Sequence, residues 1–595
     1  MNKRIIFSAL LLAVLISVSA FEYTIPKVLF VTTGDGDGRG TVSDGVILAL
    51  QEFNKSGAFV RLENRKILHN KEELSEYSIM ILPTAYGYHD ADRRYSLSFL
   101  SDSEMKNISN WVKNGGTLVS DINLGRNKLS GEDRITKSGE FTPDNWIFAD
   151  CFGTNLTEIN LENFHITNSV IDAWSDDITD KFDSNEWTPV ATNIISKNAK
   201  VLASWKNGET LYPAILQNKF FAGNTILLGN FSIIHPASDG GFSNATEIQA
   251  FYKYVYDLAV SGRQYSIDLN PWKNGASTAF CLTFNDGGSA EEYDRIIKLL
   301  KKYKIKSTFF VTVNIPAELK LKIKGERSIS LGSHSHTHAD FRTISYPQTV
   351  TELLENRSDF DTDFRGFRFP FTNNSFWGMM VLEELDYVYD TSIGVNHLDF
   401  FRGSVFPYNI PIFKDGCYHS LDLLEISQNF RDDWYYFQNK LKDKTYDAAG
   451  QKTDSAKFDS YLKRLWERAI VPNNGLMVFL GHPMYSGISE NTMQPLENMI
   501  KLAQKDGAWI TELDEIADFW NKRKDLNITV KEKDNSVTIN FYLKENTTIE
   551  NLSMKLPQKP PKVKFTGKYH FVENNEGLFI VFDSVKTNDE AEIEF

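Results

Sequence analysis

The sequence predicts an α/β protein that contains more than one domain. Two long segments alternate between short apolar, β-branched runs and amphipathic segments with helix caps, a pattern that is typical of parallel strands joined by helices. The tail of the chain instead shows short runs separated by Asn, Gly and Asp, which indicates a β domain. The chain has 595 residues, more than one domain usually holds, and its 42% hydrophobic content suffices for several cores.

Residues 1–20 have the three parts of a secretory signal peptide. Residues 1–4 are basic, residues 5–18 form an apolar core, and residues 18–20 (Val-Ser-Ala) form a small-residue cleavage site. A membrane anchor is the alternative, but the apolar run is short for a span, and no later apolar segment reaches about 20 residues. We therefore expect an exported chain, secreted, periplasmic or held at the cell surface, with no membrane span after cleavage.

Residues 26–262 are predicted to form an α/β domain with a parallel sheet. Strands are expected at residues 28–33, 78–82 and 117–120, and an amphipathic helix is expected at residues 104–114. Each predicted strand is followed by a turn or a helix, and this alternation favours parallel strands covered by helices.

Residues 111–119, Trp-Val-Lys-Asn-Gly-Gly-Thr-Leu-Val, resemble a pattern of the class I glutamine amidotransferase-like or flavodoxin-like fold. Those amidotransferases carry a nucleophilic cysteine after the middle strand, whereas residues 83–86 of this chain are Pro-Thr-Ala-Tyr. The resemblance therefore implies a non-catalytic accessory domain. The Gly-rich residues 34–40 lack the lysine of a phosphate-binding loop and most ligands of a calcium loop. We therefore expect them to form the mobile rim of a site and not to bind phosphate or calcium.

The next segment carries a candidate metal site. Residues 278–284 are an apolar and aromatic run that predicts a buried strand, and Asp286 follows its C-terminal end. His334 and His338 have the spacing H-x-x-x-H at a later strand end. One carboxylate and two imidazoles are the three protein ligands of an open catalytic zinc site. A histidine-rich surface turn without function is the alternative, and His336 is not counted as a ligand because a strand-like turn directs it away.

Four motifs in order resemble the polysaccharide deacetylase family, also called the NodB-homology domain or carbohydrate esterase family four. Residues 283–287 (Thr-Phe-Asn-Asp-Gly) and the histidine pair are two of them, and residues 367–371 (Phe-Arg-Phe-Pro-Phe) and 476–482 (ending Leu-Gly-His) are the others. The resemblance covers residues 265–525. It implies a distorted (β/α) barrel, predicted at residues 263–525, with the site on the C-terminal face of its strands.

The resemblance also implies ligands and roles for these residues. Zinc, or another divalent metal, would be held by Asp286, His334 and His338, and His482 would protonate the leaving amine. Arg368 would contact position 285, and a main-chain N–H near Phe371 would stabilise the oxyanion. The family also has a motif of an Asp followed shortly by Asp-Trp, which has no clean match here. Asp390 is assigned to it and would keep His482 charged, and the sequence Asp432-Asp433-Trp434 is the alternative.

Asn285 departs from the family pattern, because the family carries there the aspartate that acts as general base. An amide has no titratable oxygen and cannot take that proton. We therefore expect slow removal of N-acetyl or O-acetyl groups from a carbohydrate polymer or oligosaccharide. A catalytically inactive carbohydrate-binding protein on the same scaffold is the alternative, and hydrolysis of another amide or ester, such as a cyclic amide, is a third hypothesis.

Composition limits the remaining classes of partner. The net charge of −14 argues against nucleic acid and against polybasic attachment to anionic lipid. The three cysteines suggest buried free thiols and no disulfide framework.

Residues 526–595 are predicted to form a small accessory β-sandwich, either a glycan-binding module or a domain that only packs on the barrel. Residues 434–437 (Trp-Tyr-Tyr-Phe) form either a sugar-stacking wall or a helix face.

Overall fold

The computed structural model describes residues 21–31, 39–84, 96–134, 140–161, 165–167, 169–170, 186–229, 231–234, 245–395, 403–414, 417–429, 431–442 and 448–595. The predicted signal peptide, residues 34–38 of the Gly-rich loop and residues 85–86 lie outside the described residues, so these expectations stay predictions. None of the helices in the described ranges combines the length and apolar character that a membrane crossing requires.

The first part of the chain alternates between strands and helices. Its strands are β1 (Phe21–Thr24), β2 (Lys27–Val31), β3 (Phe59–Glu63), β4 (Ile79–Leu82), β5 (Thr117–Asp121), β6 (Glu140–Phe141), β7 (Thr154–Leu161), β8 (His165–Thr167), β9 (Glu186–Ile194), β10 (Lys200–Asn207), β11 (Thr210–Phe220) and β12 (Gly223–Leu228). Its helices are α1 (Asp44–Lys55), α2 (Lys71–Leu74), α3 (Asp102–Lys113), α4 (Phe148–Phe152) and α5 (Ala245–Ala259).

The middle part contains the second α/β unit. Its strands are β13 (Asp268–Leu269), β14 (Ala279–Phe284), β15 (Ser307–Val311), β16 (Ile329–Ser333), β17 (Gly366–Phe367), β18 (Tyr389–Asp390), β19 (Gly394–Val395), β20 (Tyr408–Lys414), β21 (Cys417–Glu425), β22 (Gln428–Asn429), β23 (Leu476–Gly481) and β24 (Trp509–Thr511). Its helices are α6 (Ala290–Tyr303), α7 (Ala317–Gly325), α8 (Tyr346–Phe360), α9 (Phe376–Glu384), α10 (Asp433–Lys442), α11 (Ala448–Leu465), α12 (Pro483–Ser486), α13 (Glu490–Lys505) and α14 (Leu513–Lys524).

The last part consists of strands. They are β25 (Asn527–Lys533), β26 (Ser536–Tyr542), β27 (Thr548–Leu556), β28 (Lys562–Phe565), β29 (Tyr569–Asn574), β30 (Gly577–Lys586) and β31 (Asp589–Glu594).

The N-terminal sheet has the order β3-β2-β4-β5-β12-β11-β10-β8, and its first five strands are parallel. Within that parallel set the chain order is 2-1-3-4-5, the order of flavodoxin-like sheets. Successive residues of β2 enter different cores, since Val28 and Phe30 pack on one face while Leu29 and Val31 pack on the other. Burial on both faces explains the continuous apolar strand. The predicted parallel sheet is present, and the resemblance to amidotransferase-like proteins stays a prediction.

The middle unit is a curled sheet in the order β20-β21-β18-β17-β16-β15-β14-β23, with β24 also paired to β14. The run from β21 to β23 is parallel, so the C-terminal ends of these strands meet at one edge. Helix α6 begins after Ser289, whose backbone N–H donates to Glu292 Oε2 at 2.6 Å in a capping box. The strand and helix start that the sequence predicted around Asp286 are therefore confirmed.

Two antiparallel sheets lie at the C-terminal end of the chain, in the orders β1-β25-β26-β31-β28 and β13-β27-β30-β29. Their inward side chains share one apolar core that includes Val530, Met554 and Ile593. Strands β1 and β13 come from outside residues 526–595, so distant parts of the chain complete both sheets. These pairings could not be predicted from the sequence, because a four-residue strand and a two-residue strand carry too little periodicity.

The N-terminal domain contacts the curled sheet through the last two residues of the Gly-rich loop, Arg39 and Gly40. Arg39 forms an antiparallel bridge with Ile412 of β20, and the Tyr408 hydroxyl donates to the Gly40 carbonyl at 3.0 Å. Gly40 has φ +101°, and a Cβ there would lie 3.1 Å from Ile410. The Asn374 amide also donates to the Arg39 carbonyl at 2.7 Å. These contacts bring the N-terminal domain close to the loop after β17.

Candidate active site

The candidate site lies at the edge where the parallel strands of the curled sheet end. β14 is followed by Asn285 and Asp286, β16 by His334, β17 by Arg368 and β23 by His482. Parallel neighbours place their C-terminal ends together, so residues far apart in sequence meet there. The sequence thus builds the site by repeating one local unit, in which an apolar strand ends in a polar side chain.

Asp286, His334 and His338 converge so that one donor atom of each lies within 4.8 Å of the others. His334 is buried, and its Nδ1–H donates to the Arg368 carbonyl at 2.7 Å, which leaves Nε2 as the ring atom with the free lone pair. That Nε2 lies 3.9 Å from Asp286 Oδ1, while the Thr312 hydroxyl donates to Asp286 Oδ2 at 2.7 Å. Hydrogen bonds to His334 Nδ1 and Asp286 Oδ2 therefore orient both side chains and leave His334 Nε2 and Asp286 Oδ1 for a ligand.

The turn that carries the histidines has an uncommon backbone. Ser335 has φ +68° and His338 has φ +63°, both in the left-handed region that non-glycine residues rarely adopt. The buried Asn356 amide of α8 stabilises the turn by donating to the carbonyls of Val311 and Ser335 at 3.2 and 2.8 Å. His336 lies against α8, where its Nδ1 is 3.1 Å from Glu355 Oε2. Outward placement of His336 agrees with its exclusion from the ligand set.

The donor set fits a divalent cation such as zinc. Burial lowers the pKa of His334 to about 3, so its imidazole is neutral and able to ligate at neutral pH. Two imidazoles and one carboxylate are a common protein ligand set of catalytic zinc sites. A cluster of this kind, fixed by hydrogen bonds on the side away from its centre, is a candidate metal centre.

Asn285 lies beside this cluster and is almost fully buried. Arg368 Nη1–H donates to Asn285 Oδ1 at 3.0 Å, and the amide nitrogen Nδ2 lies 3.5 Å from His482 Nε2. The arginine therefore fixes which end of the amide faces the histidine. Position 285 presents an N–H donor to His482, where a carboxylate would present an acceptor.

Arg368 is completely buried, and its side chain makes contacts with three neighbouring groups. Its Nε–H donates to the Thr391 carbonyl at 3.0 Å, Nη2–H donates to the Thr391 hydroxyl at 3.2 Å, and the guanidinium stacks on Phe310 at 4.3 Å. Burial lowers the pKa of Arg368, while the charge of Asp390 opposes that effect. This geometry excludes a surface salt bridge as the role of Arg368.

His482 is held by Asp433, the first residue of α10. His482 Nδ1–H donates to Asp433 Oδ1 at 2.8 Å, and the backbone N–H of His482 donates to Asp433 Oδ2 at 2.7 Å. Ser486 adds two bonds to Oδ2, one from its N–H at 3.1 Å and one from its hydroxyl at 2.7 Å. Burial acts to lower the pKa of His482, but the adjacent Asp433 carboxylate outweighs it, so this pKa is raised.

The assignment of Asp390 as the partner of His482 is therefore wrong. Within the alternative sequence Asp432-Asp433-Trp434, Asp433 is the residue that is hydrogen-bonded to His482 Nδ1. Asp390 instead accepts from the Ser392 hydroxyl at 2.8 Å and is hydrogen-bonded to Glu425, another buried carboxyl. Burial raises the pKa of Asp390 to about 6. The pair lies on the Arg368 side of the site. Asp433 could have been found from the dipeptide that it forms with Trp434, because the family motif to which Asp390 was assigned ends in Asp-Trp.

Phe371 lies next to the histidine cluster. It has φ +58°, its ring contacts the His338 ring edge-to-face at 4.6 Å between centroids, and its side chain is 62% exposed. The loop therefore presents its backbone beside the candidate metal centre, which is compatible with the expected main-chain donor.

Comparison with known families now adds to this geometry. Residues 273–387 match the family model for polysaccharide deacetylase. The match includes Asp286, His334, His338 and Arg368, while Asp433 and His482 lie beyond it. No curated protein sequence matches the chain.

Solved structures also resemble the chain over about two fifths of its length. A Mycobacterium smegmatis protein assigned as a polysaccharide deacetylase is 17% identical, covers 42% of this chain and 93% of its own, and has a TM-score of 0.34. A carbohydrate esterase family four pseudoenzyme from Bacillus anthracis is 17% identical, covers 41% and 66%, and has a TM-score of 0.27. A family four carbohydrate esterase from Streptomyces lividans is 12% identical, covers 40% and 93%, and has a TM-score of 0.26.

Proposed function

We propose that the chain is a metal-dependent hydrolase that removes N-acetyl, or O-acetyl, groups from a carbohydrate polymer or oligosaccharide. The observation that carries this proposal is the convergence of Asp286, His334 and His338 beside the hydrogen-bonded pair of Asp433 and His482. A ligand set and an oriented imidazole at one strand edge are the two components that hydrolysis of an acetamide requires. The matched deacetylase domain supports the same reaction class.

A zinc ion, or another divalent metal, held by these three ligands would polarise the acetyl carbonyl and make water a better nucleophile. The chain's own residues supply the proton transfer. His482 Nδ1–H donates a hydrogen bond to Asp433. Nε2 is therefore the ring atom that can transfer a proton to the substrate nitrogen. The Asp433 carboxylate favours the protonated ring and raises the pKa of His482, so His482 acts as the general acid in this proposal.

Asn285 makes the reaction slow in this proposal. Its Oδ1 is committed to Arg368 and its Nδ2 faces His482, so neither end of the amide can accept a proton from water. Loss of a general base typically costs about 10²–10⁴ in rate.

A main-chain N–H near Phe371 would donate to the oxyanion that forms on the acetyl oxygen and so stabilise it. Residues 1–20 support export to the cell surface, the periplasm or the medium.

The test compares acetate release from N-acetylated glycans by the wild type, Asn285→Asp and His334→Ala, each expressed without residues 1–20. The proposal predicts slow release by the wild type, faster release by Asn285→Asp and none by His334→Ala. Silence in the wild type with activity in Asn285→Asp would favour a carbohydrate-binding protein on a deacetylase scaffold. Silence in all three proteins would contradict the proposed hydrolysis and leave the catalytically inactive carbohydrate-binding alternative.

A further inference from the structure

Two exposed aromatic rings lie together at the starts of the helices that follow β16 and β17. Tyr346 is the first residue of α8 and is 37% exposed, and Trp377 is the second residue of α9 and is 48% exposed. Their rings meet edge-to-face, with centroids 5.8 Å apart at 81°. The two helices follow β16 and β17, the strands that deliver His334 and Arg368. Their N-termini therefore lie on the same face of the sheet as the candidate metal centre.

A row of contacts connects the metal ligands to this aromatic pair. The His338 and Phe371 rings touch at one end, and the Asn373 amide then donates to Asp340 Oδ2 at 3.1 Å. Further along, Arg342 Nε–H donates to the Asn374 carbonyl at 3.4 Å. The loops 338–345 and 371–375 thus run side by side from the candidate metal centre to Tyr346 and Trp377.

Neighbouring groups hold both rings without covering them. The Tyr346 hydroxyl donates to Glu384 at the end of α9, and the Phe376 ring lies 5.0 Å from the Trp377 ring at 72°. Because the two rings are already held in place, their side chains lose less conformational entropy when a ligand binds. A fixed pair of exposed rings, with a carboxylate at its edge, matches a pyranose, which offers an apolar C–H face and hydroxyl groups around its rim.

We propose that Tyr346 and Trp377 form a sugar-stacking subsite for a second pyranose ring of the chain whose acetyl group enters the metal centre. This inference rests on the proposed function and makes it more specific, because a subsite outside the catalytic centre favours an oligomeric or polymeric substrate over a monosaccharide. Binding energy from this remote ring would position the reacting sugar.

The test measures binding in the His334→Ala background, so that no turnover is needed. Trp377→Ala and Tyr346→Ala are compared with Tyr542→Ala, which removes a ring of similar exposure, 42%, from the C-terminal sheet. The probes are the N-acetylglucosamine pentamer and monomer, measured by calorimetry. We expect Trp377→Ala and Tyr346→Ala each to weaken pentamer binding about tenfold, with monomer binding and the Tyr542→Ala variant unchanged.

Equal pentamer affinity in the Trp377→Ala, Tyr346→Ala and Tyr542→Ala proteins would overturn the subsite. The same holds if the His334→Ala parent protein binds the pentamer no better than the monomer. Either result leaves acetate release by the wild type intact if the proposed function is right. Loss of acetate release with retained, Trp377-dependent pentamer binding would instead remove the proposed function and keep the subsite. In an active wild type, Trp377→Ala should lower kcat/KM for the pentamer more than for the monomer.

Discussion

Asp433 Oδ1 accepts the Nδ1–H of His482 at 2.8 Å, although the two residues are 49 positions apart in the chain. The carboxylate is fully buried and also accepts from the backbone of His482 and from Ser486. A carboxylate with so many donors is fixed in place, and it fixes the imidazole in turn. His482 is thereby held in one orientation, with Nε2 directed toward Asn285.

Asp433→Asn should lower acetate release by about 10²-fold or more, because an amide would no longer hold the correct tautomer of His482. The matched control is Asp432→Asn, since Asp432 Oδ2 lies 3.9 Å from the same nitrogen, beyond hydrogen-bond distance. Steady-state kinetics of both variants check this prediction. Equal losses in the two variants would show that general charge near His482 matters and the direct hydrogen bond does not.

Asn285→Asp should raise kcat by about 10²–10⁴-fold, because it restores a proton acceptor next to Arg368 and His482. Asn285→Ala serves as the control, since it removes the amide without supplying a base. Single-turnover acetate release measures both variants. A gain in Asn285→Ala as large as that in Asn285→Asp would mean that the amide blocks the site and is not simply a missing base.

The pair of Asp433 and His482 should stabilise the protein more at acid pH than at alkaline pH. The pKa of His482 is raised above its ordinary value of 6.5, so folding favours the protonated ring. This stabilisation is fully present below about pH 6.5 and is lost as pH rises through the pKa of the folded state. Urea unfolding of the wild type and Asp433→Asn from pH 5.5 to 9 should show a difference that shrinks with rising pH. A constant or growing difference would contradict the raised pKa.

Arg368→Met should reduce the free energy of unfolding by about 3–5 kcal/mol, because it leaves buried acceptors and the carboxyl groups of Asp390 and Glu425 without their cation. Arg365→Met is the control three residues away. Arg365 forms a half-exposed ion pair with Asp518, which is worth about 0–1 kcal/mol. Chemical denaturation measures both variants, and similar losses would refute the buried role of Arg368.

Gly40→Ala should destabilise the contact between the N-terminal domain and the curled sheet by about 1–3 kcal/mol. The new Cβ would lie 3.1 Å from Ile410 in a backbone with φ +101°. Gly115→Ala separates the two causes, because Gly115 has φ +119° and open space around its Cβ position. Thermal unfolding should show a larger loss for Gly40→Ala. Equal losses would assign the whole effect to backbone strain.

The sequence predicted the parts of the site that depend on local pattern. β14 and its capped helix, the position of Asp286 at a strand end, and the pair His334 and His338 follow from short runs of residues. The partner of His482 could not be derived in this way. Asp390 is the last residue of β18 and is the better local candidate, but packing of α10 against α12 brings Asp433 to the imidazole.

Long-range pairing also limited the prediction of the fold. β1 and β25 pair along four residues, from Phe21 with Glu532 to Thr24 with Thr529, although some 500 positions separate them. Neither strand indicates its partner by composition. The contact of Arg39 with β20 is another example, because the residues that decide it lie in different domains. Such pairings depend on the arrangement of whole units, which local periodicity does not encode.

The measurement that tests the central claim most directly is the metal content of the purified chain with and without the histidine ligands. Elemental analysis after loading with zinc and removal of excess metal should find one equivalent in the wild type and in Tyr542→Ala. His334→Ala and Asp286→Asn should retain far less, because each removes one of three ligands. A wild type without bound metal, or equal metal in all four proteins, would contradict the assignment of this site as a metal centre.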